Sequence, residues 1–149
     1  PYKTSAAAVT ESQGGAAYYV MVNAEGLYAG SGYYHLAPDQ LERYRVAVGD
    51  PRHGPELADA VNAVRKKKYE VDSRESLKRV PRGFDAEHPR ADLLKKKGIH
   101  VGRSFGAPRW LHTHGALDRI VAVWRDAAPV NRWLDRHVGP STAPPPEPD

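Results

Sequence analysis

Four basic side chains, Lys78, Arg79, Arg82 and Arg90, crowd the stretch 77–97, LKRVPRGFDAEHPRADLLKKK, where Pro81, Gly83 and Pro89 make the backbone too stiff for a mere solvated charge run. Three chemistries are open to it. Converging cations would hold a phosphate or carboxylate, with Arg supplying paired hydrogen bonds in a fixed fork. The same cations would equally pair with Asp85, Glu87 or Asp92 and cap a neighbouring helix. Spread over a surface, they would neutralise nucleic-acid phosphates while tyrosines stack on bases. Asp85 and His88 are three residues apart, a spacing at which a carboxylate could orient an imidazole as a general base, although loop capping explains the pair as well.

The remaining chemistry is sparse. His112-Thr113-His114 offers two imidazoles but no third ligand at an obvious spacing, and Gly115 places the pair in a loop. His35, His53, His100 and His137 read as isolated, so no metal site and no cofactor are expected. The chain has no cysteine, which excludes disulfides, thiolate nucleophiles and iron–sulfur ligation. There is no G-x-S-x-G elbow, P-loop, kinase signature, H-E-x-x-H or EF-hand pattern. Gly30-Ser31-Gly32 lacks a third glycine and a following helix, and reads as a bulge or a close backbone approach.

The elements that must carry these residues form an α+β pattern. Residues 15–34, rich in aromatic and β-branched types and interrupted by Asn23-Ala24-Glu25-Gly26, predict a hairpin whose first arm is central in its sheet. Pro38 and Asp39 begin a helix with the stripe Leu41, Tyr44 and Val48; Leu57, Val61 and Val64 mark a second, ending in the basic run Arg65 to Lys68. A short helix on Leu93 and Leu94 is expected to be capped by Gly98. Residues 99–105 alternate as a third strand. Two closing helices follow, one on Leu117, Ile120, Val121 and Trp124, the other on Val130, Trp133, Leu134 and His137, with Pro129 resetting the direction between them. A small antiparallel sheet (hairpin 15–34 plus strand 99–105) packed against four to five helices is the expectation.

With 149 residues the chain suits one domain, 1–138, followed by a Pro-rich tail, 139–149, expected to be disordered. Its net charge of +4 is unevenly placed: residues 65–103 carry 13 Lys/Arg against 6 Asp/Glu, and the rest is net acidic. That asymmetry points to an anionic partner. No apolar run reaches the roughly 20 residues that span a bilayer, and a cytoplasmic setting fits the absence of cysteine.

Pro1-Tyr2-Lys3-Thr4, the Tyr18-Tyr19 strand, the Gly30 to Tyr34 turn with Pro38, Leu41 and Arg45, Leu77 to Phe84, His88-Pro89, Leu93-Leu94 and Lys97 together resemble the family called domain of unknown function 2461, over residues 1 to about 138. The resemblance implies a conserved, mainly bacterial α+β protein with no catalytic residue to carry over. It also implies an Arg- and Asp-rich segment before Pro1, so the chain reads as truncated at its N-terminus. Motif membership and side-chain chemistry select Tyr2, Lys3, Lys78, Arg79, Arg82 and His88 as anion-binding candidates. The function expected is binding or processing of a small phosphorylated or carboxylated molecule. The alternative is a nucleic-acid or protein interaction module using the basic 65–103 face.

Overall fold

The computed structural model describes residues 5–11 and 15–142. Its centre is a five-stranded antiparallel sheet: β1 (Ser5–Glu11), β2 (Ala17–Asn23), β3 (Gly26–Tyr33), β4 (Glu70–Asp72) and β5 (Ile99–Gly106), in the spatial order β1-β2-β3-β5-β4. The β2–β3 hairpin turns as its residues dictate. Asn23 Oδ1 accepts from the Glu25 N–H at 2.8 Å, and Gly26 takes φ +119°, a conformation that suits glycine. β2 lies between β1 and β3, so the central placement holds. β1 and the three-residue β4 are additions to the expected sheet. Alanine-rich β1 has little strand propensity of its own and exists by pairing with β2 from Ser5↔Asn23 to Glu11↔Ala17.

Helices cover one face. α1 (Pro38–Gly49) starts with Pro38 at its first position, and Gln40 Oε1 accepts from the Ala37 N–H at 2.9 Å. α2 (His53–Lys66) begins where Asp50 Oδ1 accepts from the Arg52 and His53 N–H groups at 2.8 and 2.9 Å. It ends at Lys66, and Lys68, at φ 71°, turns the chain just beyond it. The basic run thus finishes a helix: Arg65 and Lys66 occupy its last turn, and Lys67 pairs with Asp126 at 3.2 Å. α3 (Ala91–Leu94) is a single turn. Its C-cap is Lys95, and Gly98 serves a different purpose from the cap expected: a Cβ there would lie 2.4 Å from the Tyr34 carbonyl oxygen, so glycine permits two backbones to meet.

The two closing helices are one. α4 (Gly115–His137) runs through Pro129 without a break. Its buried residues, Val123, Ala127, Val130, Trp133 and Leu134, form the stripe that docks on β3 and against α2. Packing along this stripe outweighs the helix-breaking cost of one proline. Leu117 and Val121, expected inside, are 60% and 38% exposed. Between α4 and β3 a buried polar pair fixes the docking: Asn131 Nδ2 donates to Ser31 Oγ at 2.7 Å, and Ser31 Oγ donates to the Ala17 carbonyl at 2.9 Å. Trp124 adds Nε1–H to the Gly30 carbonyl at 3.0 Å.

α2 and α4 lie antiparallel and are tied near both ends. At one end Tyr69 donates to Asp126 at 2.6 Å; at the other Trp133 Nε1 donates to the His53 carbonyl at 2.8 Å. Residues 139–142, assigned to the tail by sequence, are held on α1. Gln40 Nε2 donates to the Gly139 carbonyl, Arg43 to the Val138 and Pro140 carbonyls, and Asp39 accepts from Ser141 and Thr142. The rest of that tail lies outside the described residues.

Candidate functional site

The basic stretch leaves the sheet through a short pairing with residues 95–97. Ser76 bridges to Lys96, the Leu77 N–H donates to the Lys95 carbonyl and the Lys97 N–H to the Glu75 carbonyl. Gly83, at φ +94°, then turns the chain so that Phe84 packs against Gly49 at the end of α1, with Val80 also set against the core. Between these apolar anchors Lys78, Arg79 and Arg82 point to solvent, and among the described residues no hydrogen bond or ion pair reaches their side chains. Arg90 has a different role: its Nε–H donates to the Val48 carbonyl at 2.6 Å, closing the C-terminal end of α1.

The Asp85–His88 pair is a loop cap. Asp85 Oδ1 accepts from the Glu87 N–H at 2.8 Å, and His88 Nδ1 accepts from the Arg90 N–H at 3.0 Å, so the carboxylate does not orient the imidazole. The proton of His88 therefore sits on Nε2. Tyr2 and Lys3 lie outside the described residues. None of the clefts described below is lined by Lys78, Arg79, Arg82 or His88.

Strand alternation brings a second group together on the sheet face turned away from α4. Tyr19 of β2, Tyr28 of β3, Tyr34 just beyond β3 and His100 of β5 share it, with Tyr19 packing on both other tyrosines at centroid distances of 6.0 and 6.1 Å. Glycines make room for these rings. A Cβ on Gly102 would lie 2.1 Å from the Tyr28 hydroxyl, and one on Gly30 would lie 2.9 Å from the hydroxyls of both Tyr28 and Tyr34. The Gly30-Ser31-Gly32 run is thus a close approach, as expected, and Gly32 additionally lets β5 draw near: its Cβ would lie 2.3 Å from the Ile99 carbonyl.

Tyr34 stacks on His100 with centroids 4.6 Å apart and planes at 16°, and the Arg74 guanidinium lies 5.7 Å from the Tyr34 ring centroid. Beside them opens a cleft of about 310 Å³, whose walls include Val9, Ala17, Tyr19, Gly32, Tyr34 and Arg74. The Tyr34 hydroxyl and His100 Nδ1 are both buried without a hydrogen-bond partner among the described residues. Burial, followed by the neighbouring Tyr28 and Tyr19, pushes the Tyr34 hydroxyl well above its ordinary value. Burial pulls the His100 imidazole down; Arg74 and Lys96 push the same way, against Asp72 and Glu70. At neutral pH the phenol of Tyr34, which lines the cleft, is therefore protonated, and the His100 imidazole stacked on it is neutral.

A third group corrects the reading of His53 and His137 as isolated. Their rings lie 4.3 Å apart at the α2–α4 end, beside Glu56. The signal for it was present in part, since His53 and Glu56 are spaced i, i+3 on one helix face. His137 is remote in sequence and no periodicity links it to them. His112 and His114 form an exposed polar turn.

A family model described as "Conserved hypothetical protein (DUF2461)" matches residues 1–133. No curated protein and no solved structure matches the chain. Among the described residues no helix is long and apolar enough to cross a membrane.

Proposed function

The chain belongs to the DUF2461 family of conserved hypothetical proteins, and on that premise we propose that its domain binds a small anionic ligand carrying a planar ring, in the tyrosine-lined cleft of the sheet. The observation that carries this reading is the buried Tyr34 hydroxyl, without a hydrogen-bond partner among the described residues, on a side chain that lines an open cleft, with His100 Nδ1 equally unpaired on the ring stacked against it. Buried polar groups left unpaired are costly, and a ligand acceptor or donor relieves that cost. Tyr19 and Tyr34 offer ring faces for stacking. Arg74, with Lys96 nearby, supplies the positive charge for a phosphate or carboxylate.

Isothermal titration against mononucleotides, aryl phosphates and aryl carboxylates tests this. Arg74→Ala is expected to weaken the best ligand by about 10- to 100-fold, as for loss of a charged hydrogen bond, and Tyr34→Ala by a similar factor through lost stacking. Wild-type affinity in both variants would overturn it.

The second reading, a nucleic-acid surface on the 65–103 face, draws support from Lys78, Arg79 and Arg82, exposed and unpaired among the described residues, with His88 beside them in sequence. It predicts an affinity for short oligonucleotides that falls steeply with salt and is lowered by Arg79→Ala and Arg82→Ala. A small-anion cleft responds to salt more gently and is indifferent to those two changes.

A further inference from the structure

We propose that His53, Glu56 and His137 form a binding site for one divalent transition-metal ion. This goes beyond the ligand cleft, whose lining includes none of the three. Each of the three residues can offer one ligand atom such that the three atoms lie within 4.8 Å of one another. The His53 Nδ1 to Glu56 Oε2 distance is 4.0 Å. Donors on a tetrahedral Zn²⁺ at the usual bond lengths stand about 3.4 Å apart, so side-chain rotation of roughly an ångström closes the set around an ion.

The independent observation is that, among the described residues, His53 Nδ1 and His137 Nε2 are both buried and have no hydrogen-bond partner. Buried polar atoms left unpaired are costly, and a cation shared by the two imidazoles relieves that cost.

The scaffold holds the donors from both sides. The His53 backbone is fixed at its N–H by Asp50 Oδ1 and at its carbonyl by Trp133 Nε1. Trp133 also packs on His137 with ring centroids 4.8 Å apart. His137 ends α4, where the helix dipole favours positive charge, and Glu56 offsets the opposing dipole at the start of α2. Two clefts meet at His137. One, of about 300 Å³, is lined in part by Glu56, Arg132, Trp133 and Arg136; the other, of about 380 Å³, includes Arg43, Asp50 and His53. Three protein ligands beside open space leave coordination positions for water or an exogenous ligand, and Arg132 and Arg136 favour an anionic one. Two imidazoles and a carboxylate select Zn²⁺, Fe²⁺, Co²⁺ or Ni²⁺ over Mg²⁺ and Ca²⁺, which prefer oxygen.

The test is titration of the whole chain with Zn²⁺ by calorimetry and with Co²⁺ by visible absorption, after stripping with EDTA. Saturable uptake of one equivalent is expected, with a Co²⁺ spectrum of mixed nitrogen and oxygen ligation. His53→Gln, Glu56→Gln and His137→Gln should each weaken binding by at least about tenfold. The double variant His112→Gln/His114→Gln, which removes the exposed histidine pair, should bind as wild type. Should a variant fail to fold, the wild-type protein still decides the matter: Zn²⁺ must shift the ring-nitrogen resonances of both His53 and His137. Absence of stoichiometric uptake, binding lost in the His112/His114 variant, or unshifted His53 and His137 rings would overturn the proposal.

Discussion

Replacing Tyr69 by Phe deletes one oxygen from the junction that ties α2, α4 and β5 together. Tyr69, 5% exposed, donates to Asp126 Oδ2 at 2.6 Å; Asp126 also accepts from Lys67, and the Arg103 guanidinium lies 3.9 Å from the Tyr69 ring centroid while donating to the Lys67 carbonyl. Burial first, then the Asp126 hydrogen bond, raises the phenol to about 12, from an ordinary value near 10. A raised acid is stabilising in its protonated form. The contribution is complete below about pH 10 and is lost as pH climbs through about 12. Two pH units correspond to about 2.7 kcal/mol at full strength. Burial supplies the largest part of that shift by disfavouring the phenolate, which adds nothing at neutral pH, so with the Asp126 side chain 28% exposed the share owed to the hydrogen bond is about 1 kcal/mol. Tyr69→Phe should therefore cost about 1 kcal/mol at neutral pH, which is also the usual net value of one hydrogen bond. Urea unfolding followed by far-ultraviolet circular dichroism, from about pH 8 to about pH 12, measures it. Tyr28, Tyr33, Tyr34 and Tyr44 are raised too, but they are common to both proteins and cancel in the difference. That difference should start near 1 kcal/mol and vanish across the window. A difference that is zero at about pH 8, or constant throughout, refutes the reasoning.

Other outcomes follow from the same geometry. Gly32→Ala places a methyl carbon 2.3 Å from the Ile99 carbonyl at a φ of +153°, and is expected to cost more than about 2 kcal/mol, read as a lower urea midpoint or loss of soluble protein. Asp39 is held well below the usual carboxylate range, first by the Ser141 hydroxyl and then by the Thr142 N–H and Arg43. Its contribution is present above the ordinary aspartate value of about 3.9 and lost as pH falls below it. The protection factor of the Thr142 amide, exchange relative to the intrinsic rate at the same pH, should fall in acid, and Asp39→Asn should lower it in the same way at neutral pH; protection unchanged in both would count against the hold of residues 139–142 on α1.

The hairpin and α1 were readable because their periodicities are strong and their turn residues specific: Asn23 and Gly26 for one, Pro38 for the other. β1 was not, since Ala6, Ala7 and Ala8 carry no strand preference and are recruited only by the neighbouring β2. α4 misled at Pro129, where the residue argues locally for a break and the buried stripe from Val123 to Leu134 argues against one. In the basic stretch, composition could not separate Arg79 and Arg82, which face water, from Arg90, which closes a helix; that division depends on where Val48 lies in space. The tyrosine face and the His53–His137 meeting depend on pairings between residues far apart in the chain, which no local pattern records.

Pro129 has one more effect. Lacking an N–H, it leaves the Arg125 carbonyl without its intrahelical donor, so the hydrogen-bond ladder of α4 misses a rung. That gap falls between the Asp126 anchor and the Trp133 anchor. Side chains bridge the missing rung: just beyond Pro129, Asn131 pins the helix to Ser31 and Asp135 accepts from Tyr33, both of β3. This stretch of α4 therefore owes its place to the sheet beneath it more than to its own backbone ladder.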